Sequence, residues 1–69
     1  MRLNLEKIKS FLEERGWNEV LFARKLNLDY SYVYRVMRGQ RGIGNKFIAG
    51  LLKFCEQENL DFRKFILLD

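Results

Sequence analysis

Apolar residues recur at helical spacing along almost the whole chain, and no stretch alternates apolar with polar residues for long enough to read as a strand. Leu5, Ile8 and Leu12 share one face, with Phe11 beside them, and predict a first helix from after Asn4 to Gly16. Asn4 suits an N-cap, and Gly16 suits the left-handed residue that closes a helix. Asn18 opens a second helix with Phe22, Ala23 and Leu26 on its apolar side; Trp17 and Phe22 stand at hydrophobic-staple positions. Asn27 stops that helix, because asparagine tolerates positive φ better than other non-glycine residues. Leu28 can then drop toward a core, and Asp29 can cap a third helix carrying Val33, Val36 and Met37. Gly39 ends the third helix. Phe47, Ile48, Leu51, Leu52 and Cys55 make the wide stripe of a fourth, from Gly44 or Asn45 to about Glu58. Asp61 caps a last element holding Phe62, Phe65, Ile66, Leu67 and Leu68, with Leu60 and Phe65 again at staple positions. The expected fold is all-α with five helices.

The third helix is the unusual one. At about 100° per residue, Tyr30, Ser31, Tyr34, Arg35 and Arg38 fall within about 140° of arc, away from its apolar side. Tyr32 lies between the two sets. A short helix that turns hydroxyls, aromatic rings and guanidiniums outward is suited to touching another molecule.

Composition narrows what that molecule is. At 69 residues the chain is one domain, residues 1–69, and a domain this small buries only about 60% of its unfolded surface. One cysteine, Cys55, rules out an internal disulfide, and the absence of histidine argues against a zinc site. Close helix packing, with or without a second subunit, must therefore supply the stability. The net charge is +4 and favours an anionic partner. Between Asp29 and Glu56 there are five basic residues (Arg35, Arg38, Arg41, Lys46, Lys53) and no acid. A solvated basic face is the plain reading of such a run, but it coincides with the outward residues of the third helix, which favours a nucleic-acid face.

Other classes find little support. The opening residues do not read as a signal peptide, and the apolar stretch Phe65 to Leu68 is far too short to span a bilayer. The glycine-rich loop Arg38 to Gly44 follows no strand and precedes no GK[ST], so it does not read as a nucleotide cradle. No histidine can activate Cys55, which reads as a small buried hydrophobe, and no paired carboxylates stand in an apolar setting. The chain is not expected to be an enzyme, and no cofactor or metal is expected.

These residues together resemble the lambda-repressor-like helix-turn-helix family, also called the Xre or Cro/repressor family. The resemblance covers nearly the whole chain, with the motif on the second and third helices. Ala23 matches the small residue where the two helices approach, and Phe22, Leu26, Leu28, Val33 and Val36 match the apolar positions. Gly39 and Arg41 match a glycine and a basic residue favoured after the recognition helix. Asn27 departs from the family's turn glycine but can meet the same positive φ. Glu19 departs more seriously, standing where many members place a glutamine near the DNA backbone.

The resemblance implies sequence-specific binding of duplex DNA, usually as a homodimer on a palindromic operator, with the third helix in the major groove. By position, Tyr30, Ser31, Tyr34 and Arg35 become the base-reading candidates, and Arg35 could hold a guanine bidentately. Phosphate contacts fall to Tyr32, Arg38, Arg41, Asn45 and Lys46. The implied role is a transcriptional regulator, a repressor of phage, plasmid or mobile-element type, acting in the bacterial cytoplasm. A second reading keeps the fold but makes the apolar C-terminal element the working surface, as in a protein-interaction module or an antitoxin. On that reading Phe54, Phe62, Phe65 and Leu68 form a subunit interface; otherwise they close the core. RNA binding is a third reading, since exposed tyrosines can stack on unpaired bases.

Overall fold

Four asparagines and two aspartates punctuate the chain, and most do so with their side chains or by adopting positive φ. A computed structural model describes residues 1–68; Asp69, the last residue of the expected 1–69 domain, lies outside the described residues. Helix α1 spans Leu5–Arg15, with the Asn4 side chain accepting from the Lys7 N–H at 3.3 Å and Gly16 closing it at φ 67°. Helix α2 spans Glu19–Leu26, capped by Asn18, which accepts from the Leu21 N–H at 2.9 Å. Asn27 takes φ 58°, the left-handed turn that its side chain makes tolerable. Helix α3 follows over Tyr30–Met37, and helix α4 runs over Asn45–Glu58 from Gly44 as its N-cap. Asn59 ends α4 at φ 61°.

Asp29 stands at the N-cap of α3 but makes no side-chain capping bond, contrary to expectation. Its carboxylate accepts from the Ser31 hydroxyl at 2.6 Å instead. The expected core stripe of α4 is also rotated. Phe47, Leu51, Phe54 and Cys55 are buried, whereas Leu52 is 44% exposed and Ile48 half-buried. Positions i, i+4, i+7 and i+8 form a narrower face than the expected one, and that face recruits the larger Phe54 in place of Leu52.

The fifth helix does not form. Asp61 does cap an element, accepting from the Arg63 N–H at 3.0 Å, but that element is a single 3-10 turn over Phe62–Phe65. The same N–H, followed by the Arg63 side chain, holds the Asp61 carboxyl below its ordinary range. Beyond the turn the chain extends as strand β2, Ile66–Leu67, paired antiparallel with strand β1, Arg2–Leu3. Arg2 faces Leu67, Leu3 faces Ile66, and the Asn4 N–H donates to the Phe65 carbonyl at 2.9 Å. A helix of so few residues is marginal in water. The N-terminus offers backbone partners, and extended backbone turns Ile66 inward while leaving Leu67 40% exposed. Runs of two residues leave no alternation to read in the sequence, so this ladder was invisible there.

The result is a mostly helical, compact fold with a Cα radius of gyration of 10.8 Å and four α-helices among the described residues. Phe22, Phe47, Phe54, Ile8, Leu51 and Val33 are its most deeply buried side chains. Phe54 lies edge-to-face with Phe11, Trp17 and Phe22 at 5.9, 6.1 and 6.0 Å, and Phe11 meets Phe65 at 5.5 Å. Trp17 is thus a core-edge residue that shares Phe54 with Phe22. No described helix is long and apolar enough to cross a membrane.

Helices α2 and α4 approach closely at Gly50. A Cβ there would lie 2.8 Å from the Leu26 carbonyl oxygen, which is backbone and cannot swing aside. Gly50→Ala should therefore destabilise the domain by about 1–3 kcal/mol through overpacking, even though alanine is the better helix former. Urea unfolding followed by far-UV circular dichroism measures this; an unchanged or raised midpoint would show that α4 can shift without cost.

Candidate nucleic-acid interface

Helix α3 buries Val33, Val36 and Met37 against the rest of the fold and turns its other face outward. Tyr30 is 41% and Tyr34 39% exposed, large values for aromatic rings in so small a domain, and Ser31 and Arg35 are exposed beside them. The base-reading candidates thus share one open face. The two tyrosines are already in contact, edge-to-face at 5.9 Å. Ser31 is tied to Asp29, so its oxygen donates inward and keeps its lone pairs for an outside donor. Arg35 has no side-chain hydrogen bond or ion pair among the described residues, and its guanidinium is uncommitted.

The residues expected to contact phosphate divide into two groups. Tyr32 is half-buried, with its ring edge-on to Phe47 at 5.7 Å. Its hydroxyl accepts from the Gly44 N–H at 3.0 Å, which joins α3 to the start of α4. That hydroxyl still has its own proton to donate. The Arg41 guanidinium lies over the other side of this arrangement, 4.3 Å from the Tyr32 ring centroid, so a loop arginine is held by a cation–π contact rather than an ion pair. Asn45 and Lys46, in the first turn of α4, are exposed. Lys46 also lines a cleft of about 430 Å³ between α2 and α4, with Lys25, Lys53, Leu26, Leu28 and Gly50.

Arg38 behaves differently. Its Nη1 donates to Glu19 at 2.8 and 3.1 Å, and its guanidinium lies 3.8 Å from the centroid of the Tyr34 ring. The hydrogen bond to Glu19 raises the Arg38 pKa above its ordinary value. Arg38, expected among the phosphate contacts, is thus already engaged by Glu19 within the chain. The departure at Glu19 and the basic residue at Arg38 are thus one feature. Nothing in the spacing of 19 residues announces the pairing, which depends on how the second and third helices cross.

The four residues considered for a subunit interface differ in burial. Phe54 is 2% and Phe65 7% exposed, and both are used by the core of this chain. Phe62 is half-buried, and of the four residues only Leu68, at 76%, is fully open. Cys55 is buried on the core face of α4, and burial pushes its thiol pKa up, which makes it a poor nucleophile.

A scan against protein-family models and searches of curated proteins and of solved structures found no match to this chain.

The Tyr32 hydroxyl links two elements through one exposed hydrogen bond, so Tyr32→Phe should cost about 0.5–1.5 kcal/mol. The Gly44 amide should exchange with deuterated solvent measurably faster while core amides of α4 change little. Unchanged exchange at Gly44 would mean that the hydroxyl does not hold the loop in place.

Proposed function

We propose that this chain is a sequence-specific, duplex-DNA-binding transcriptional regulator with a lambda-repressor-like helix-turn-helix formed by α2 and α3. The observation that carries the reading is the coincidence of two features on α3. An exposed face of Tyr30, Ser31, Tyr34 and Arg35 adjoins a run of sequence from Tyr30 to Cys55 that holds basic residues and no acid. On this reading α3 lies in the major groove. Arg35, with its guanidinium uncommitted, reaches the two acceptors of a guanine, and the tyrosine rings pack on thymine methyls. Arg41, Lys46 and the Tyr32 hydroxyl hold the phosphate backbone and set the register.

The role that follows is a repressor of phage, plasmid or mobile-element type, working in the cytoplasm as a homodimer on a palindromic operator. Two half-sites would lie about 34 Å apart or a multiple of that. A protein-interaction role, as in an antitoxin, has one observation in its favour. Leu67 and Leu68 are 40% and 76% exposed, and Met1, 53% exposed, lies at the same end of the antiparallel strand pair. That apolar end is where a partner chain or a second copy would sit.

Selection of bound duplexes from a random pool tests the main reading, and an ungapped or paired motif should emerge. Affinity for the selected duplex should fall steeply with salt, at a log–log slope near −0.9 per neutralised phosphate. Arg35→Ala should cost about 1–3 kcal/mol and relax preference at one base pair. Arg41→Ala should weaken selected and unrelated duplexes alike and make the salt slope shallower by about one phosphate. A pool that yields no enriched sequence, or an Arg35→Ala variant with the parent's motif, would sink the assignment of α3 as the reading helix.

A further inference from the structure

Three arginines follow one another on α3 and the loop after it, and only one of them has a carboxylate partner among the described residues. Arg35 is unpaired and Arg41 rests on a tyrosine ring. Arg38 donates to both oxygens of Glu19 and lies over Tyr34, whose ring in turn meets Tyr30. The ladder Glu19, Arg38, Tyr34, Tyr30 therefore runs from the first turn of α2 along the outer face of α3.

We propose that Glu19 is a specificity-determining positioning residue, which withholds Arg38 from the DNA backbone and uses it to fix Tyr34. The proposal rests on the DNA-binding reading above and sharpens it.

The charge argument is direct. Arg38 and Glu19 together carry no net charge, so the pair contributes nothing to the release of counterions that drives non-sequence-specific binding. A phosphate reaching for Arg38 must displace a carboxylate already bonded at 2.8 Å, and it meets that carboxylate's repulsion as it approaches. The geometric argument concerns Tyr34. A planar guanidinium held by a carboxylate on one side can lie flat on an aromatic face and limit where that ring moves. Tyr34 is exposed, and the ring contacts on it are the edge of Tyr30 and the Arg38 guanidinium, which restrains it on the outer side. Discrimination between operators depends on the ratio of specific to non-specific affinity. Lowering the electrostatic part while fixing a base-reading ring raises that ratio from both ends.

The test compares the parent with Glu19→Gln, which keeps the shape and removes the charge. Binding to the selected duplex and to a scrambled duplex of the same composition is measured across a range of salt. An exposed ion pair contributes little to stability, so the variant should fold, and circular dichroism checks that it does. Glu19→Gln should bind the scrambled duplex severalfold more tightly, with a salt slope steeper by about 0.9, the value of one added phosphate contact. Its preference for the selected duplex should fall severalfold. The double variant Glu19→Gln with Arg38→Gln restores a neutral pair and should return the slope to the parent's. A merely structural role for Glu19 would weaken binding and could not strengthen it. A folded Glu19→Gln protein with the parent's slope and preference overturns the inference while leaving the DNA reading intact. A parent chain that binds no duplex overturns both.

Discussion

Phe54 touches aromatic rings from three other parts of the chain, and the mutual placement of α1, α2 and α4 depends on where that ring sits. Its contacts with Phe11, Trp17 and Phe22 tie α4 to α1, to the residue before α2 and to α2 itself. Phe11 extends the cluster to Phe65 and so to the C-terminal strand. Aromatic pairs in edge-to-face geometry contribute about 0.5–1.5 kcal/mol each beyond the apolar area they bury. In a domain with no disulfide, such a cluster helps hold α1, α2 and α4 together. It has a second consequence: α3 contributes no aromatic ring to it. Val33, Val36 and Met37 anchor that helix, with Tyr32 against Phe47 at its flank, and Tyr30 and Tyr34 are left for the outer face.

The features legible in the sequence are those governed by local backbone chemistry. Asn4, Asn18, Asn27 and Gly16 mark helix ends because capping and positive φ are properties of single residues and their neighbours, and the boundaries of α1 and α2 fall where those residues stand. The outward face of α3 was legible for a similar reason, since helical periodicity fixes which residues share a side. The features that were not legible depend on encounters between distant segments. Leu52 and Phe54 are both plausible on an apolar stripe, and only packing against Phe11, Trp17 and Phe22 decides between them. Ile66 and Leu67 could continue a helix on composition alone, and only the proximity of Arg2 and Leu3 draws them into a strand. The absence of a cap bond at Asp29 reflects competition: the Ser31 hydroxyl, two residues away, engages the carboxylate.

The candidate interface divides along the same line. Which side chains point outward was readable from period alone; what each side chain is already bonded to was not. That second property bears more directly on function. A basic residue contributes to binding a polyanion only to the extent that its charge is free, and counting arginines along α3 overstates what the face can offer. Arg35 and Arg41 retain their charge, whereas Arg38 is neutralised by Glu19. The net charge of +4 gives the sign of the preferred partner and says nothing about this division.

The division has a physical logic for a domain that must choose among many similar duplexes. Every unpaired cation on such a surface strengthens binding to all sequences, and the excess of unrelated sites in a genome turns that gain into a handicap. A helix that reads bases needs side chains held in a few orientations, and a tyrosine on an exposed helix is free to rotate unless something lies against it. Placing a carboxylate at the start of α2, where the helix dipole already favours negative charge, supplies both needs through one contact. On the proposed reading it cancels a charge that would bind indiscriminately, and it keeps a guanidinium over the ring of Tyr34. On the same reading the cost would be a weaker overall attraction to DNA, which a second copy on a palindromic site would offset by doubling the contacts.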